Sequence, residues 1–370
     1  MRFRRGETNV GRRDDAIGGN PVGNIIIDHV SASWGLDENM SMYRHMYNDS
    51  TPMKNGELKL GTVNITIQNS IFSECLDTWN HAFGSTLGGE NCAFIRNLWA
   101  DNAGRNPSIG WNGIFNMVNN VVFNWVHRST DGGDYTAMYN IINNYYKPGP
   151  STPGQDKPIS HRILKPESGR SKLGYAVYGR AYVNGNIVEG NDAVTKDNWN
   201  GGVQVEELPD AGKYKDAMKW NTPLPMPEMS IIPAAAAKAF VLSNAGASLP
   251  KRDAVDIRIL KQATTGKIEY SENVKLPETQ FKHRRMPIDS YKQGIITDPI
   301  QVGGYPEYKG VAYKDADNDG IPDNWELAHG LNPNDAKDAA IITKSGYSNI
   351  EVYLNSIVDI KTVRPETVKN

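Results

Sequence analysis

Short runs of isoleucine, valine, phenylalanine and tyrosine recur through the first half of the chain, and a polar residue follows each at the same place. The runs are IIIDHVSAS, ITIQNSIFS, AFIRNLWAD, NMVNNVVFN, NIINNYYKP and AYVNGNIVE, which align on His29, Asn69, Asn97, Asn120, Asn144 and Asn186. The aligned positions are separated by 40, 28, 23, 24 and 42 residues. A period near 23 with occasional near-doubling is typical of a solenoid with inserted loops.

The pattern indicates an all-β fold. Each unit reads as a short strand followed by an Asn-rich turn, and no amphipathic helix separates the units through residue 145. This favours a parallel β-helix over repeated βαβ units. Asparagine amides stacked from turn to turn can satisfy inward-facing backbone groups. A β-sandwich with Asn-rich turns is the alternative.

Composition narrows the function classes. Lys plus Arg total 40 and Asp plus Glu 42, a formal net charge of −2, so no basic excess predicts a nucleic-acid partner. No apolar run approaches the roughly 20 residues that span a bilayer. MRFRRGETNV lacks an apolar signal-peptide core, so the protein is expected to be cytosolic or to have lost its leader. The two cysteines, Cys75 and Cys92, are expected to be buried thiols, with a disulfide as the alternative.

The repeat pattern predicts three regions: a β-helix domain over 1–265, an irregular wrap or linker over 266–312, and a small module over 313–370. Two short helices are expected near the end of the first region, in AAAAKAFVLSNAGA, closing in a glycine, and in KRDAVDIRILKQ.

The third region contains DADNDGIPDNWE, which has the spacing of an EF-hand calcium loop and is similar to thrombospondin type 3 loops. Gly320 permits the sharp turn. A solvated acidic loop is the alternative, and a stabilising role is expected rather than a catalytic one. The predicted Ca²⁺ ligands are Asp315, Asp317, Asp319, the Ile321 carbonyl, Asp323 and Glu326.

Four stretches resemble the pectate lyases of polysaccharide lyase family 1, in particular a Bacteroidetes subgroup. They are NIIIDHVSASWGLDENMS, FIRNLWADNAGRNPSIG, NMVNNVVFNW and NNYYKPGP, and the resemblance covers residues 1 to about 265. It implies a right-handed parallel β-helix that cleaves α-1,4-galacturonan by Ca²⁺-dependent β-elimination. The Arg-x-Pro match implies that Arg105 is the base. Because arginine ordinarily has a pKa above about 12, an alkaline optimum is expected.

The resemblance also implies a metal site and several departures from the family pattern. Asp15, Asp37 and Glu38 are the implied Ca²⁺ ligands, although Ser41 stands where a second acid is usual. The family's substrate-binding lysine is missing, so His81 and Arg128 are the candidates to bind substrate. Ser108 replaces a second arginine, and rungs normally found upstream of Met1 are expected to be absent.

The expected partner is polygalacturonate or pectin, and the chain is expected to be a monomer that is secreted, periplasmic or on the cell surface. One alternative is a pectin lyase acting on methyl-esterified chains, with Trp34, Trp79, Trp99 and Trp111 lining its cleft. Another is a non-catalytic, pectin-binding β-helix. A hydrolytic polygalacturonase is disfavoured because Asn-Thr-Asp and Gly-His-Gly are absent.

Overall fold

A computed structural model describes residues 1–6, 12–43, 61–134, 136–168, 177–205, 211–249, 251–277, 285–309 and 312–357. Within them the apolar runs form short strands that pair only in parallel, in one seven-stranded and two six-stranded sheets. Each turn of the chain adds one strand to each sheet, so the repeats build a parallel β-helix, as the sequence predicts.

The strands are grouped below by sheet. Sheet A contains β1 (Arg2–Arg4), β4 (Ser31–Ser33), β7 (Ile71–Ser73), β10 (Leu98–Ala100), β13 (Val121–Phe123), β16 (Tyr145–Lys147) and β19 (Ile187–Val188). Sheet B contains β2 (Ile17–Gly19), β5 (Met40–Met42), β8 (Thr86–Leu87), β11 (Ser108–Ile109), β14 (Asp131–Gly132) and β17 (Lys165–Pro166). Sheet C contains β3 (Gly23–Asp28), β6 (Val63–Gln68), β9 (Ala93–Ile95), β12 (Gly113–Val118), β15 (Ala137–Ile142) and β18 (Ala181–Asn184).

The interior of the coil is filled by stacked apolar side chains. Because strand neighbours are in register, each inward position repeats from one turn to the next. In sheet A the inward stack is Ala32, Phe72, Trp99, Val122, Tyr146 and Val188, all part of one buried core.

A ladder of buried asparagines follows the turn between sheets C and A. Each backbone N–H donates to the side-chain oxygen of the next asparagine at 2.8–2.9 Å, along Asn97, Asn120, Asn144, Asn186 and Asn198. The side-chain amides donate in turn to strand carbonyls such as those of Ile67 and Phe94. The predicted role of these asparagines is therefore confirmed.

The alignment of the first two repeats is wrong by one residue. Register pairs Ile71 with Ser31 and with Leu98, which puts Val30 and Ser70, not His29 and Asn69, at the ladder position. His29 and Asn69 instead occupy the preceding left-handed position, with φ of 49° and 48°, in a column with Arg96, Asn119 and Asn143. Asparagine suits both columns, so the sequence pattern does not distinguish them.

Helices and loops cover two of the three sheets. The helices are α1 (Asp192–Lys196), α2 (Ala211–Met218), α3 (Ala234–Asn244), α4 (Ala254–Thr265), α5 (Asp323–His329) and α6 (Asn349–Ser356), with 3₁₀ turns at Pro158–His161, Ser290–Gln293, Pro299–Val302 and Asp338–Ala340. Helices α3 and α4 pack on the outward face of sheet A, and residues 226–231 pack on that of sheet C.

Both predicted helices near residue 250 form, with shifted ends. Helix α3 ends before Ala245, which is extended, rather than closing directly in a glycine. Helix α4 begins after Asp253, whose side chain accepts from the Asp256 N–H, and ends at Gly266 in the left-handed conformation. None of the described helices is long and apolar enough to cross a membrane. Cys75 and Cys92 are buried free thiols.

The chain divides into two compact units. The first comprises Met1–Ser248 and Arg252–Pro306, and the second comprises Leu249–Lys251 together with the chain from Glu307 to Glu366. The second contains α5, α6 and the turn Asp338–Ala340. The boundaries predicted at residues 265 and 312 stay a prediction.

Candidate active site

The outward face of sheet B carries polar side chains in register. Ser41, Thr86, Ser108 and Asp131 occupy the same position on successive strands, while their neighbours Leu87 and Ile109 point into the core. The outward faces of sheets A and C differ, because parts of them carry apolar clusters that pack against α3 and α4 and against residues 226–231. The predicted site residues lie along its edge.

Arg105 is brought to this edge by three successive turns of the coil. Isolated parallel bridges join Glu38 to Phe83 and Phe83 to Gly104, so Glu38 lies two turns from Arg105. The Arg105 Nη1 donates to Glu38 Oε1, and its guanidinium carbon lies 4.3 Å from the centre of the Phe83 ring. Arg105 itself has φ of 54°, an uncommon conformation for a residue with a long side chain.

Space beside Gly104 is taken by protein. A Cβ atom at that position would lie 2.9 Å from His127 Nε2. The glycine therefore permits His127 to pack against the backbone.

Glu38 is almost fully buried and already well bonded. Its carboxylate accepts from Thr86 Oγ1 at 2.7 Å and from Ser41 Oγ, in addition to Arg105. Ser41, which replaces an acid of the family pattern, thus supports the neighbouring acid. One charged and two hydroxyl donors therefore fix the position of the Glu38 carboxylate.

Arg105 is held protonated in this arrangement. Burial alone would lower its pKa, but Glu38, followed by Asp131 and Asp37, raises the pKa above the ordinary arginine value. The pairing with Glu38 therefore opposes proton abstraction by Arg105 near neutral pH.

Asp15 and Asp37 add negative charge next to Glu38. Asp15 Oδ1 accepts from the Glu38 backbone N–H at 3.0 Å. Burial, with the neighbouring charges of Glu38 and Asp37, raises the pKa of Asp15 to about 8. Crowded carboxylates of this kind suit a hard divalent cation, which takes oxygen ligands.

The three acids are not gathered as tightly as a finished metal site. In the described parts of the chain, two groups of three acidic side chains have oxygen atoms within 4.8 Å of one another. Both groups lie in the second compact unit. Asp37 contacts His81 Nε2 at 3.1 Å, and Glu38 contacts Arg105. The residue types fit Ca²⁺, and their assignment as ligands stays a prediction.

His81 contacts Asp37, Arg13 and the Phe83 ring. Its ring nitrogens lie 3.2 Å from Arg13 Nη1, and the ring packs edge-on against Phe83 at 4.8 Å. Burial lowers the pKa of His81, although Asp37 partly offsets this. A neutral imidazole does not replace the positive charge of a substrate-binding lysine.

Three guanidinium groups surround Phe83. Besides Arg105, the guanidinium carbons of Arg128 and Arg285 lie 5.4 and 5.1 Å from the ring centre. Arg128 Nη1 pairs with the buried Asp131 at 2.9 Å. Arg285 Nη1 instead contacts His127 Nε2 at 2.8 Å, and burial with the charges of Arg128 and Arg285 lowers the pKa of His127 to about 3.

A fourth cation adjoins this group. Arg162 Nη1 donates to the His127 carbonyl at 3.2 Å. Within the described residues, neither Arg162 nor Arg285 forms a salt bridge, and burial lowers the pKa of both. The four arginines are called the arginine cluster below: Arg105, Arg128, Arg162 and Arg285.

Arg162, Arg285 and Phe83 are not among the residues predicted from the sequence. Arg285 lies 180 residues after Arg105 in an irregular stretch without periodicity, so no local pattern marks it. Phe83 could have been found from the period, because it precedes Arg105 by 22 residues.

The second compact unit holds a separate set of carboxylates. One group consists of Asp315, Asp317 and Asp319, and another of Asp319, Glu326 and Asp338. Gly320 has φ of 98°, as the sharp turn requires. The Asp323 carboxylate belongs to neither group, and the ligand assignment for this loop stays a prediction.

Comparison with known proteins gives a consistent set of relatives. No family model matches the chain. An Aspergillus fumigatus protein named probable pectate lyase C is 31% identical over 353 residues, which cover 93% of this chain and 68% of that protein. An Aspergillus flavus protein of the same name is 30% identical over 351 residues, with the same coverage of each chain. A solved structure of the thermostable pectate lyase PL 47 has a TM-score of 0.30 at 16% identity, covering 64% of this chain and 66% of that one.

Proposed function

This chain belongs to the pectate lyase family and is therefore a polysaccharide lyase, and we propose that it cleaves α-1,4-linked galacturonan by Ca²⁺-dependent β-elimination with Arg105 as the base. The observation that carries this proposal is the position of Arg105. It lies at the edge of sheet B, with Glu38 in contact, Asp15 and Asp37 nearby, and the arginine cluster around it. The carboxylates of Asp15, Asp37 and Glu38 suit Ca²⁺, and the neighbouring arginine cluster suits the carboxylates of galacturonan.

The elimination breaks the C5–H bond, next to the sugar carboxylate, and the C4–O bond, and it forms a C4=C5 double bond. The departing C4 oxygen takes a proton from water. Ca²⁺ held by Asp15, Asp37 and Glu38 would draw charge from the sugar carboxylate and make the C5 proton more acidic. The neutral form of Arg105 accepts that proton. Two contacts position the Arg105 guanidinium: Glu38 accepts a hydrogen bond from its Nη1, and the Phe83 ring packs against its face.

The arginine cluster supports binding of an anionic chain. Arg128 was expected to bind substrate, and it lies beside Phe83 with one nitrogen on Asp131. Arg162 and Arg285 form no described salt bridge, so their charge is available to sugar carboxylates. We assign them the role that the missing lysine has in related enzymes.

The pectin lyase alternative is less well supported. Trp34 and Trp99 are completely buried, so two of its four candidate aromatics do not line a cleft. Trp34 donates to buried Glu74, and Trp99 donates to Ser85 inside the coil. A site rich in cations and carboxylates favours an unesterified, anionic substrate.

We also propose that the loop from Asp315 to Glu326 binds Ca²⁺ and stabilises the second unit without a part in catalysis. The assignment to the Bacteroidetes subgroup, the monomeric state and the secreted, periplasmic or cell-surface location stay proposals too. The last follows from the size of the polymer, which has to be met outside the cytoplasm.

The test is the ultraviolet absorbance of polygalacturonate digests, measured with Ca²⁺ and with excess chelator. The unchanged chain is expected to form unsaturated ends only with Ca²⁺. Arg105→Lys is expected to lower kcat by about 10³-fold at an unchanged melting temperature, since a general base contributes about 10²–10⁴-fold. The matched control is Arg180→Lys, because Arg180 is exposed and stacks on Trp220 at 4.2 Å.

Each other result rejects a defined part of the proposal. Full activity in Arg105→Lys would assign the base to another residue. An intact protein that forms neither unsaturated ends nor reducing ends would be a non-catalytic pectin-binding β-helix. Unsaturated ends formed equally well in chelator from esterified pectin would favour the pectin lyase.

A further inference from the structure

The second compact unit contains buried carboxylate oxygens without hydrogen-bond donors. Glu326 is fully buried, and neither of its oxygens has a hydrogen-bond partner among the described residues. Asp338 is 7% exposed, and its Oδ1 is likewise without a partner there. Burying a carboxylate without compensation is costly, so these oxygens point to a missing cation. The other oxygens of this kind belong to Asp315, Asp317 and Asp319.

The position of Asp319 joins the carboxylates into one centre. Its carboxylate lies within 4.8 Å of those of Asp315 and Asp317, and also within 4.8 Å of those of Glu326 and Asp338. Oxygens bound to one Ca²⁺ lie about 2.3–2.6 Å from the ion, so two of them lie at most about 5 Å apart. The observed spacing is therefore that of ligands to a shared ion.

Asp323 is engaged in another way. Its Oδ1 accepts from the Ala316 backbone N–H at 2.8 Å, and its Oδ2 pairs with Lys314 Nζ at 3.0 Å. Asp323 lies in α5, so its two carboxylate oxygens connect the start of the loop, at Lys314 and Ala316, to that helix. The ninth loop position, where a ligand is expected, is thus occupied by a residue whose carboxylate is already used.

We propose that Asp338 takes this place, and that one Ca²⁺ is bound by Asp315, Asp317, Asp319, Glu326 and Asp338. The inference rests on the calcium loop proposed above and extends it by a ligand that lies twelve residues beyond the loop. With Glu326 bidentate and the Ile321 carbonyl added, the centre has seven oxygens. That number suits Ca²⁺, which takes 6–8 oxygen ligands, and exceeds the six of Mg²⁺.

The added ligand links the loop to α6. Asp338 Oδ2 accepts from the Asn332 N–H at 2.8 Å, and the Asp338 carbonyl accepts from Asn349 Nδ2 at 2.8 Å. Asn349 is the first residue of α6. Ca²⁺ bound to Asp338 would therefore fix the turn Asp338–Ala340 and the start of α6 together with the loop.

The experiment is calorimetric titration of the full chain with Ca²⁺ alone. The full chain can show more than one binding event, and the event that is lost in Glu326→Gln is assigned to the loop site. Asp338→Asn is expected to weaken that event at least 10-fold, and Asp323→Asn less than about 3-fold, because only the first residue contributes an oxygen to the ion. Asn at position 338 keeps an oxygen to accept from Asn332, and equal melting curves in chelator verify that the variants fold.

Wild-type affinity in Asp338→Asn would overturn the inference, and so would a larger loss in Asp323→Asn than in Asp338→Asn. If Glu326→Gln abolished no binding event, the loop itself would not be a calcium site. The titration requires no turnover, so its failure is distinct from failure of the lyase proposal, which is measured by unsaturated ends.

Discussion

Arg105 has to be neutral to act as the proposed base, whereas its contact with Glu38 stabilises the protonated guanidinium. The contact fixes the position of the Arg105 guanidinium, and it also raises the pKa of that group. An alkaline optimum follows from this conflict. In a profile of kcat against pH, the position of the acid limb should depend on how strongly Glu38 stabilises protonated Arg105.

Glu38→Gln is expected to shift the acid limb of kcat to lower pH by about one unit. Removing the carboxylate removes the largest influence that raises the pKa of Arg105, and burial, which lowers it, then prevails. A charge in direct contact shifts a pKa by about 1–3 units. The measurement is kcat against pH at saturating Ca²⁺, so that a weaker metal site does not disguise the shift.

The control for this variant is Thr86→Val. It removes a 2.7 Å hydrogen bond to Glu38 but leaves the charge, so the profile should stay in place. An unchanged or alkaline-shifted profile in Glu38→Gln would mean that Arg105 does not titrate as the base.

Arg285→Gln is expected to raise KM for polygalacturonate about 10-fold and to change kcat less than about 3-fold. A hydrogen bond to a charged group contributes about 1.5–3 kcal/mol, and Arg285 has no described salt bridge to compete with the substrate. Initial rates against substrate concentration give both constants, and the effect should shrink in high salt.

Lys292→Gln makes the same charge change in the same segment, at an exposed residue. Its KM should stay close to that of the unchanged chain. An equal rise in both variants would indicate a general effect of net charge rather than a contact by Arg285.

The residues predicted from sequence are those marked by a local pattern. Arg105, Asp15 and Glu38 stand at fixed distances from recognisable motifs, and the structure places them on the same edge of sheet B. Arg285 and Asp338 reach their neighbours through the fold, across 158 residues to His127 and 19 residues to Asp319. Neither distance is set by local structure, so sequence spacing alone does not reveal such contacts.

Among the elements of the fold, the asparagine ladder depends on each of its members. Asn120 donates to the Phe94 and Val118 carbonyls at 2.9 and 3.0 Å and accepts from the Asn97 N–H at 2.8 Å. These groups lie inside the coil, where water does not replace a lost partner. The period of the sequence predicts the ladder, whereas the column that each early asparagine joins depends on register.

Asn120→Ala is expected to lower the free energy of unfolding by about 3 kcal/mol, because each buried group left without a partner costs about 1–3 kcal/mol. Denaturant unfolding of the first unit measures this. The control is Asn64→Gly in an exposed asparagine ladder, where Asn64 donates to Asn24 at 2.9 Å and has φ of 56°. Its cost should be under about 1 kcal/mol, and equal losses in the two variants would contradict the role of the inner ladder.

For the whole molecule, the two compact units differ in what stabilises them. The buried apolar clusters found in the described residues all belong to the first unit. In residues 312–357 the buried apolar side chains are those of Ile321, Pro322 and Ala339, while Tyr313, Leu327, Ile341, Ile342, Tyr347 and Leu354 are exposed. A unit with so small a core ordinarily needs a metal or another cross-link.

Chelation is therefore expected to unfold the second unit at a lower temperature than the β-helix. Binding Ca²⁺ at 100 times its Kd stabilises a site by about 2.7 kcal/mol, a large share of what so small a unit can have. Calorimetry should show two transitions, of which the lower moves up with Ca²⁺. Hydrogen exchange should show the loss of protection in chelator confined to residues 312–357.

Glu326→Gln separates this effect from that of the Ca²⁺ proposed at the active site. It should leave the lower transition insensitive to Ca²⁺, while polygalacturonate cleavage keeps its Ca²⁺ requirement and the upper transition stays in place. Asp37→Asn should do the reverse, raising the Ca²⁺ concentration needed for turnover without moving the lower transition. Two results would contradict this: a single unfolding transition that shifts with Ca²⁺, or a loss of turnover in Glu326→Gln. Either would mean that the carboxylates of the active site and those of the second unit depend on one calcium-dependent structure. Two independent responses would mean that one ion serves chemistry and the other serves folding, each in its own unit.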